Sequence, residues 1–260
     1  MKYLLLILFP FPLFGQINCQ GFKDENCSKA CEIAIKAEVY QWRREGQELF
    51  DESLKLCPSI YFTWKEKAVP FLKSGDFITW GKLMEKAVAY NPKESLGYRG
   101  WCRYQFFRDY KGAIHDIELL DSLVNYNIGF SQNGDYHLNI AKALCYSGLG
   151  QNQKAIEIIE NQLKTENYDA GYYDYYQLGV TYFKVKDYKN ALRCFEKQAV
   201  IYDLAENEYY LGKIYKLNKN LTEYKKHKEV ALTLYKGIKK LYDPYTHHFN
   251  KVYLSTIEAE

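Results

Sequence analysis

Small residues recur in pairs twelve positions apart along this chain. The pairs are Ala34 with Gly46, Ala143 with Ala155, and Gly179 with Ala191. Two helices of a hairpin can cross closely only where each carries a small residue, with large side chains filling the gaps on either side. Amphipathic stretches flank short turns such as residues 74–76 and 149–151. The spacing therefore predicts a chain of repeated helical hairpins.

The same spacing continues in a weaker form elsewhere. Ala68 and Gly212 stand where a first small residue is expected, but their partners are Trp80 and Tyr224. These two hairpins must open to accommodate a ring. Within residues 100–113 the register of the pair is uncertain by one residue.

The clearest unit runs Tyr175-Tyr-Gln-Leu178-Gly179-x-x-Tyr182 and continues as Asp187-Tyr188-x-x-Ala191-x-x-x-Phe195. This pattern resembles the tetratricopeptide repeat signature, in which Leu-Gly and an aromatic residue mark the first helix, and Ala followed by an aromatic residue marks the second. The resemblance implies an all-α fold. It would be a right-handed superhelical solenoid of about six helix-turn-helix repeats with a C-terminal capping helix.

The resemblance covers residues 27–240. The repeats are expected to start near Cys27, Tyr61, Glu94, Tyr136, Tyr172 and Ala205. An insertion at residues 127–134, rich in Gly, Asn, Gln and Ser, predicts a longer loop between the third and fourth repeats. Asp243-Pro244 is typical of a helix start, so residues 243–260 are predicted to form a capping helix and tail.

Residues 1–15 have the pattern of a cleaved export signal, with a basic start at Lys2, an apolar run at 3–14 and the small residue Gly15. The apolar run contains two prolines and is shorter than the ~20 residues that a membrane-spanning helix needs, so no permanent anchor is expected. We therefore expect an exported protein of the periplasm or cell envelope. Cys19 leaves lipid modification open, although residues 16–18 do not resemble a lipid-attachment motif.

Four of the seven cysteines lie near the N-terminus, at Cys19, Cys27, Cys31 and Cys57. In an oxidising compartment they could form up to two disulfides that staple the first repeat. Free thiols are a second interpretation. A metal site is a third, because Cys27 and Cys31 have helical spacing, but no His precedes His115 to complete a mononuclear site.

The sequence contains no motif for phosphate binding, dinucleotide binding, zinc proteolysis or a nucleophile elbow. Its five His form no catalytic or metal-ligating constellation, since the adjacent pair at 247–248 would point apart on a helix. The net charge of +3 does not favour nucleic acid as a partner. We therefore predict a protein that is not an enzyme and that uses no cofactor or metal.

In the tetratricopeptide family the first helices line a concave groove that usually receives a peptide or a partner helix, and the resemblance implies the same here. In the fifth and sixth repeats the expected groove residues are aromatic or basic: Tyr173, Tyr176, Phe183, Lys184, Tyr209, Lys213 and Lys216. Such a surface suits an extended segment with apolar or aromatic side chains and an acidic group nearby. Each ring could instead pack against a neighbouring helix.

The leading functional hypothesis is a protein-interaction scaffold or adaptor of the cell envelope, which binds a peptide or partner segment in the groove. The alternative is an exported protein that binds a small ligand or glycan, because tyrosine rings in a groove can stack on sugar rings. The partner is expected to be a protein or peptide, with no nucleic acid and no stable membrane span.

Overall fold

The structure is a computed structural model that describes residues 17–260, so the predicted export signal lies outside the described residues. Consecutive helices pack against each other in pairs. The first helices are α1 (Glu25–Val39), α3 (Tyr61–Ser74), α5 (Pro92–Cys102), α7 (Leu138–Gly148), α9 (Asp174–Lys184) and α11 (Ala205–Leu217). The second helices are α2 (Arg44–Leu56), α4 (Phe77–Tyr90), α6 (Tyr110–Leu123), α8 (Asn152–Leu163), α10 (Tyr188–Tyr202) and α12 (Leu221–Lys236), and α13 (Leu254–Ala259) follows them. The predicted all-α fold of helical hairpins is confirmed.

Four hairpins turn by the same two-residue device. A residue with positive φ ends the turn (Gly75, Arg108, Lys186 or Lys219), and an Asp or Asn cap follows it (Asp76, Asp109, Asp187 or Asn220). Each cap accepts a hydrogen bond from the backbone N–H three residues further on, at 3.0–3.2 Å. Such a cap stabilises a helix by about 1 kcal/mol because it pairs an N–H that the helix leaves unbonded. The second helix of these hairpins therefore starts at a position that the sequence defines.

The paired small residues lie where two helices approach most closely. A Cβ atom on Gly179 would stand 2.6 Å from Cε1 of the buried Phe195 ring, so no larger residue fits without a shift of α10. At the equivalent position of the next repeat, a Cβ atom on Gly212 would stand 3.5 Å from its nearest neighbour, His227. The last hairpin is thus more open, as the ring of Tyr224 predicts.

The third repeat contains one extra residue. Its first helix widens into a π-helical turn, Arg103–Phe107, before the chain reverses at Arg108. Gly100 lies against the Ala113 carbonyl, thirteen residues away rather than twelve. A π turn accommodates one additional residue within a helix, and this explains the uncertain register of the sequence pattern.

The described residues divide into two compact units, and α5 crosses the boundary at residues 95–96. In the first unit, Ala34 and Phe50 belong to a buried apolar core, and the hydroxyl of Ser53 donates to the Ala30 carbonyl. Disulfides join Cys19 to Cys31 and Cys27 to Cys57 in this unit. They link the 3-10 turn at Cys19–Gly21, α1 and the end of α2.

In the second unit, the carboxylate of Asp116 on α6 is fully buried. The guanidinium of Arg99 donates to both of its oxygens, at 2.7 and 2.8 Å, and Arg103 reaches it at 3.0 Å. A buried carboxylate is tolerated when paired in this way. The pairing ties the π turn of the third repeat to α6.

The prediction of a helix beginning at Asp243–Pro244 was wrong, because α13 begins only at Leu254 and residues 237–253 are not helical. The Asp243 carboxylate accepts hydrogen bonds from the N–H groups of Tyr245 and Thr246, at 2.8 and 2.9 Å, and closes a local turn there. Beyond this turn the backbone is paired with side chains of earlier repeats, and helix formation would remove those bonds.

The chain after α12 is anchored at the start of α11. The Ala205 N–H donates to the Lys239 carbonyl at 2.9 Å, and the Leu241 N–H lies 3.2 Å from both carboxylate oxygens of Glu206. Leu241 and Glu206 are both fully buried. Burial raises the pKa of Glu206 to about 7 because the charged form loses its hydration.

We expect Gly179→Ala to destabilise the protein by about 1–3 kcal/mol, because the added methyl group collides with a buried ring. The matched variant Gly212→Ala has room for a Cβ atom and should stabilise α11 by up to about 1 kcal/mol through helix propensity. Urea unfolding of both variants tests this contrast. Equal shifts in the same direction would contradict the helix crossing described above.

We expect Glu206→Gln to raise the melting temperature more at pH 8 than at pH 5. A carboxyl group whose pKa is higher in the folded chain favours folding while protonated, and this contribution is lost as pH rises through about 7. The amide keeps an acceptor for the Leu241 N–H but has no charge to bury. The exposed Glu258→Gln provides the control. An advantage of Glu206→Gln that shrinks as pH rises would show that the buried carboxylate is not destabilising.

Candidate functional site

The expected groove in the second unit contains part of the chain itself. Residues 241–260, called the tail from here on, contact the π turn, the segment just before α7, and helices α9 and α11. We call the surface that they cover the groove. The tail enters at Leu241, which is buried in the same apolar cluster as Tyr176 and Leu211.

Side chains of the groove bind the backbone of the tail. The Tyr176 hydroxyl donates to the Asn250 carbonyl at 2.5 Å, and the Gln177 amide donates to the Phe249 carbonyl at 3.1 Å. The Arg108 guanidinium donates to the His247 carbonyl. These bonds hold a non-helical stretch of backbone in the way a receptor holds a peptide, because they use groups that every residue carries.

The aromatic part of the tail is Phe249. Its ring centre lies 6.3 Å from that of Tyr104 and 6.0 Å from that of Tyr110, and the Lys184 ammonium lies 4.7 Å from it. The Lys184 ammonium also donates to the Ser147 hydroxyl at 3.1 Å. A cation at this distance from a ring attracts it electrostatically, so this part of the groove selects for an aromatic side chain.

The neighbouring His248 is buried against two tyrosines, with ring centres 5.6 Å from Tyr173 and 6.4 Å from Tyr136. Its Nε2 lies 3.7 Å from a carboxylate oxygen of Asp135 and 3.1 Å from the Tyr242 carbonyl. Burial raises the pKa of Tyr136 well above its ordinary value, so its hydroxyl remains protonated and able to donate.

The acidic part of the tail is Glu260. One carboxylate oxygen lies 3.0 Å from the Lys213 ammonium and the other lies 2.8 Å from the Lys216 ammonium. Hydrogen bonds from Lys216 and Lys213 lower the pKa of Glu260 to about 2. Between Phe249 and Glu260, Val252 and Ile257 pack against Tyr209 and Ala231, so this stretch adds apolar contacts to the two polar ends.

The repeat register places six of the seven expected groove residues beside the tail. Tyr173 contacts His248, Tyr176 binds Asn250, and Lys184 lies over Phe249, while Tyr209, Lys213 and Lys216 surround the end of the tail. Phe183 differs: its ring packs against Tyr188 and Tyr210, so it joins helices to each other.

Sequence reasoning missed several residues that hold the tail. Gln177 binds both Phe249 and Asn250, Glu206 binds Leu241, and the Gln105 carbonyl accepts from Thr246 at 3.0 Å. Gln177 is adjacent to Tyr176, which was predicted to line the groove, but a polar residue within a helical pattern is usually interpreted as solvent-facing. Nothing in the local pattern indicates that its partner lies more than seventy residues further along the chain.

A second concave surface lies between α8, α9 and α10. This open cleft of about 370 Å³ is lined by Tyr175, Tyr182, Arg193 and Lys197, among others. The Lys197 ammonium lies 5.0 Å from the Tyr175 ring, and the Tyr182 hydroxyl donates to Glu160 at 2.6 Å. The cleft is separate from the residues that hold the tail.

Residues 17–260 contain no group of three or more His, Cys, Asp or Glu side chains placed to hold a metal ion. Within the same residues, no helix combines the length and the apolar character that crossing a membrane requires.

No protein-family model matches this sequence, and no curated protein is similar to it. Solved structures do match. The chain is similar to Pseudomonas aeruginosa PilF, at 15% identity and a TM-score of 0.63 over 82% of this chain and 95% of that one. It is also similar to PilW, described as a widely conserved type IV pilus biogenesis factor, at 15% identity and a TM-score of 0.64 over 82% of this chain and 96% of that one.

A further match is a tetratricopeptide repeat protein from Parabacteroides merdae, at 14% identity and a TM-score of 0.53 over 80% of this chain and 78% of that one. At these identities the likeness concerns the fold. The recurring small residues, the helical hairpins and these structural neighbours together show that the chain has the tetratricopeptide repeat fold.

Proposed function

We propose that this protein is a non-enzymatic interaction scaffold of the cell envelope that holds an extended segment of a partner protein in its groove. The observation that supports it most directly is the tail itself. A segment with an aromatic ring and a carboxylate already occupies the groove, held by side chains that bind its backbone. A surface that binds one segment in this way has the chemistry to bind another.

Location in the envelope rests on separate observations. The start of the sequence has the pattern of an export signal, and the four N-terminal cysteines are paired as two disulfides. Disulfides persist in oxidising compartments and are rare in the cytosol. PilF and PilW, which share the fold, provide a further reason to look in the envelope, since PilW is a pilus biogenesis factor.

The alternative, binding of a small ligand or glycan, is best supported by the cleft between α8 and α10. Tyr173, Tyr176 and Tyr209 are engaged by the tail or buried, whereas Tyr175 and Tyr182 line an open cleft of about 370 Å³. Open tyrosine rings can stack on sugars. The cleft also contains the side chains of Arg193 and Lys197, which would favour an acidic ligand.

The proposal predicts that a photo-crosslinking amino acid at Tyr172, an exposed position beside the groove residue Tyr173, captures a defined envelope protein in living cells. The same amino acid at the exposed Lys189 of α10, away from the tail, provides the control. Gel analysis and mass spectrometry identify the adduct. If neither position captures a protein while an acidic glycan raises the melting temperature, the scaffold function is wrong and the cleft is the binding site.

The envelope location predicts that protein purified from its own cells contains both disulfides. Peptide mapping without reduction should recover fragments joined through Cys19–Cys31 and Cys27–Cys57. Expression without residues 1–15 in a reducing cytosol is the control and should give free thiols at all four positions. Free thiols in protein from both sources would argue against an oxidising compartment.

A further inference from the structure

Most hydrogen bonds between the groove and the tail end on the backbone of the tail. The carbonyls of His247, Phe249 and Asn250 accept from groove side chains. Near the end of the tail, the Lys228 ammonium donates to the Glu258 carbonyl at 3.2 Å, and Lys216 donates to the Glu260 carbonyl at 3.2 Å. Because backbone carbonyls are common to all sequences, these contacts would hold any segment that follows the same path.

Two side chains of the tail give the groove its selectivity. Phe249 lies between two tyrosines and under Lys184, and Glu260 lies between two lysines eleven residues further on. The groove therefore distinguishes an aromatic residue at one end and a carboxylate at the other.

A short turn connects the tail to α12. Helix α12 ends at Lys236, and Ile238 in the following turn is 90% exposed. The anchors of the tail begin only at Lys239 and Leu241. Release of residues 241–260 therefore requires a rearrangement of this short turn, and it exposes side chains that the tail covers, among them Tyr209 and Ala231 of the last hairpin.

We propose that the tail is a replaceable occupant and that the groove accepts in its place a partner segment of the same chemistry. The segment carries an aromatic side chain that lies against Tyr104, Tyr110 and Lys184, and a carboxylate about eleven residues later that lies between Lys213 and Lys216. This inference rests on the proposed scaffold function and names the class of segment that the scaffold binds.

The test uses the full chain with a protease site inserted between Gly237 and Ile238, so that cleavage leaves the tail bound but no longer tethered. The probe is a fluorescent synthetic peptide of residues 241–260, followed by anisotropy. The cleaved chain should bind the peptide at least tenfold more tightly than the uncleaved chain, because a tethered tail competes at an effective concentration of about a millimolar.

Variants test the two selective contacts. Peptides with Phe249→Ala or Glu260→Gln should bind the cleaved chain at least tenfold more weakly. Lys213→Glu with Lys216→Glu should weaken the unmodified peptide similarly. Lys219→Glu with Lys225→Glu makes the same charge change at exposed lysines outside the groove and should have little effect.

Several results would overturn the inference. Unfolding of the chain on cleavage, seen by circular dichroism, would show that the tail is a permanent part of the core. Absence of exchange by a folded cleaved chain, or binding insensitive to both peptide changes, would exclude a selective groove. Dimers formed by tail exchange between uncleaved chains would identify a second copy as the occupant. If exchange fails while the photo-crosslinking adduct at Tyr172 is still found, the scaffold function stands and only this groove assignment is wrong.

Discussion

The close approach of paired helices is the constraint on which the rest of the structure depends. Gly179 allows the ring of Phe195 to reach the backbone of α9, and this contact fixes how α9 and α10 cross. With the crossing fixed, Tyr176 packs against Phe195 while its hydroxyl reaches the tail. Gln177 and Lys184 of the same helix also contact the tail. A residue that never touches the tail thus determines where the tail can bind, because core packing transmits small displacements.

The fold could be predicted from the sequence because its determinants are local and repeated. The small-residue pairs, the Leu-Gly steps and the Asp or Asn caps each act within about a dozen residues. Because each pattern recurs along the chain, one repeat supports the interpretation of the next. The third repeat shows the limit of this reasoning. No sequence motif identifies its π turn at Arg103–Phe107. The sequence pattern shows only that the spacing of the small residues is uncertain by one residue.

The walls of the candidate site could be predicted from the sequence, but the tail that fills it could not. The repeat register indicates which face of a helix looks into the groove, and hence Tyr173, Tyr176 and Lys213. It does not indicate what fills the groove, because the contacts of the tail join residues far apart in the sequence, more than seventy positions for Gln177 and Phe249. Pro244 after Asp243 has the local pattern of a helix start, and in this segment distant hydrogen bonds outweighed that preference. Phe183 illustrates the remaining ambiguity, since an aromatic residue on such a face can serve packing alone.

The position of the tail in the chain has a consequence for the order in which the protein is made. Synthesis proceeds from the N-terminus, and domains fold as units while it continues. The walls of the groove, from the π turn to α11, precede the tail by between twenty-four and more than a hundred residues. Until the tail has been made, the aromatic and basic side chains of these walls have no occupant from their own chain. If the groove binds a partner segment as proposed, a segment present at that time would not have to displace the tail, so timing as well as affinity would decide which of the two is bound first.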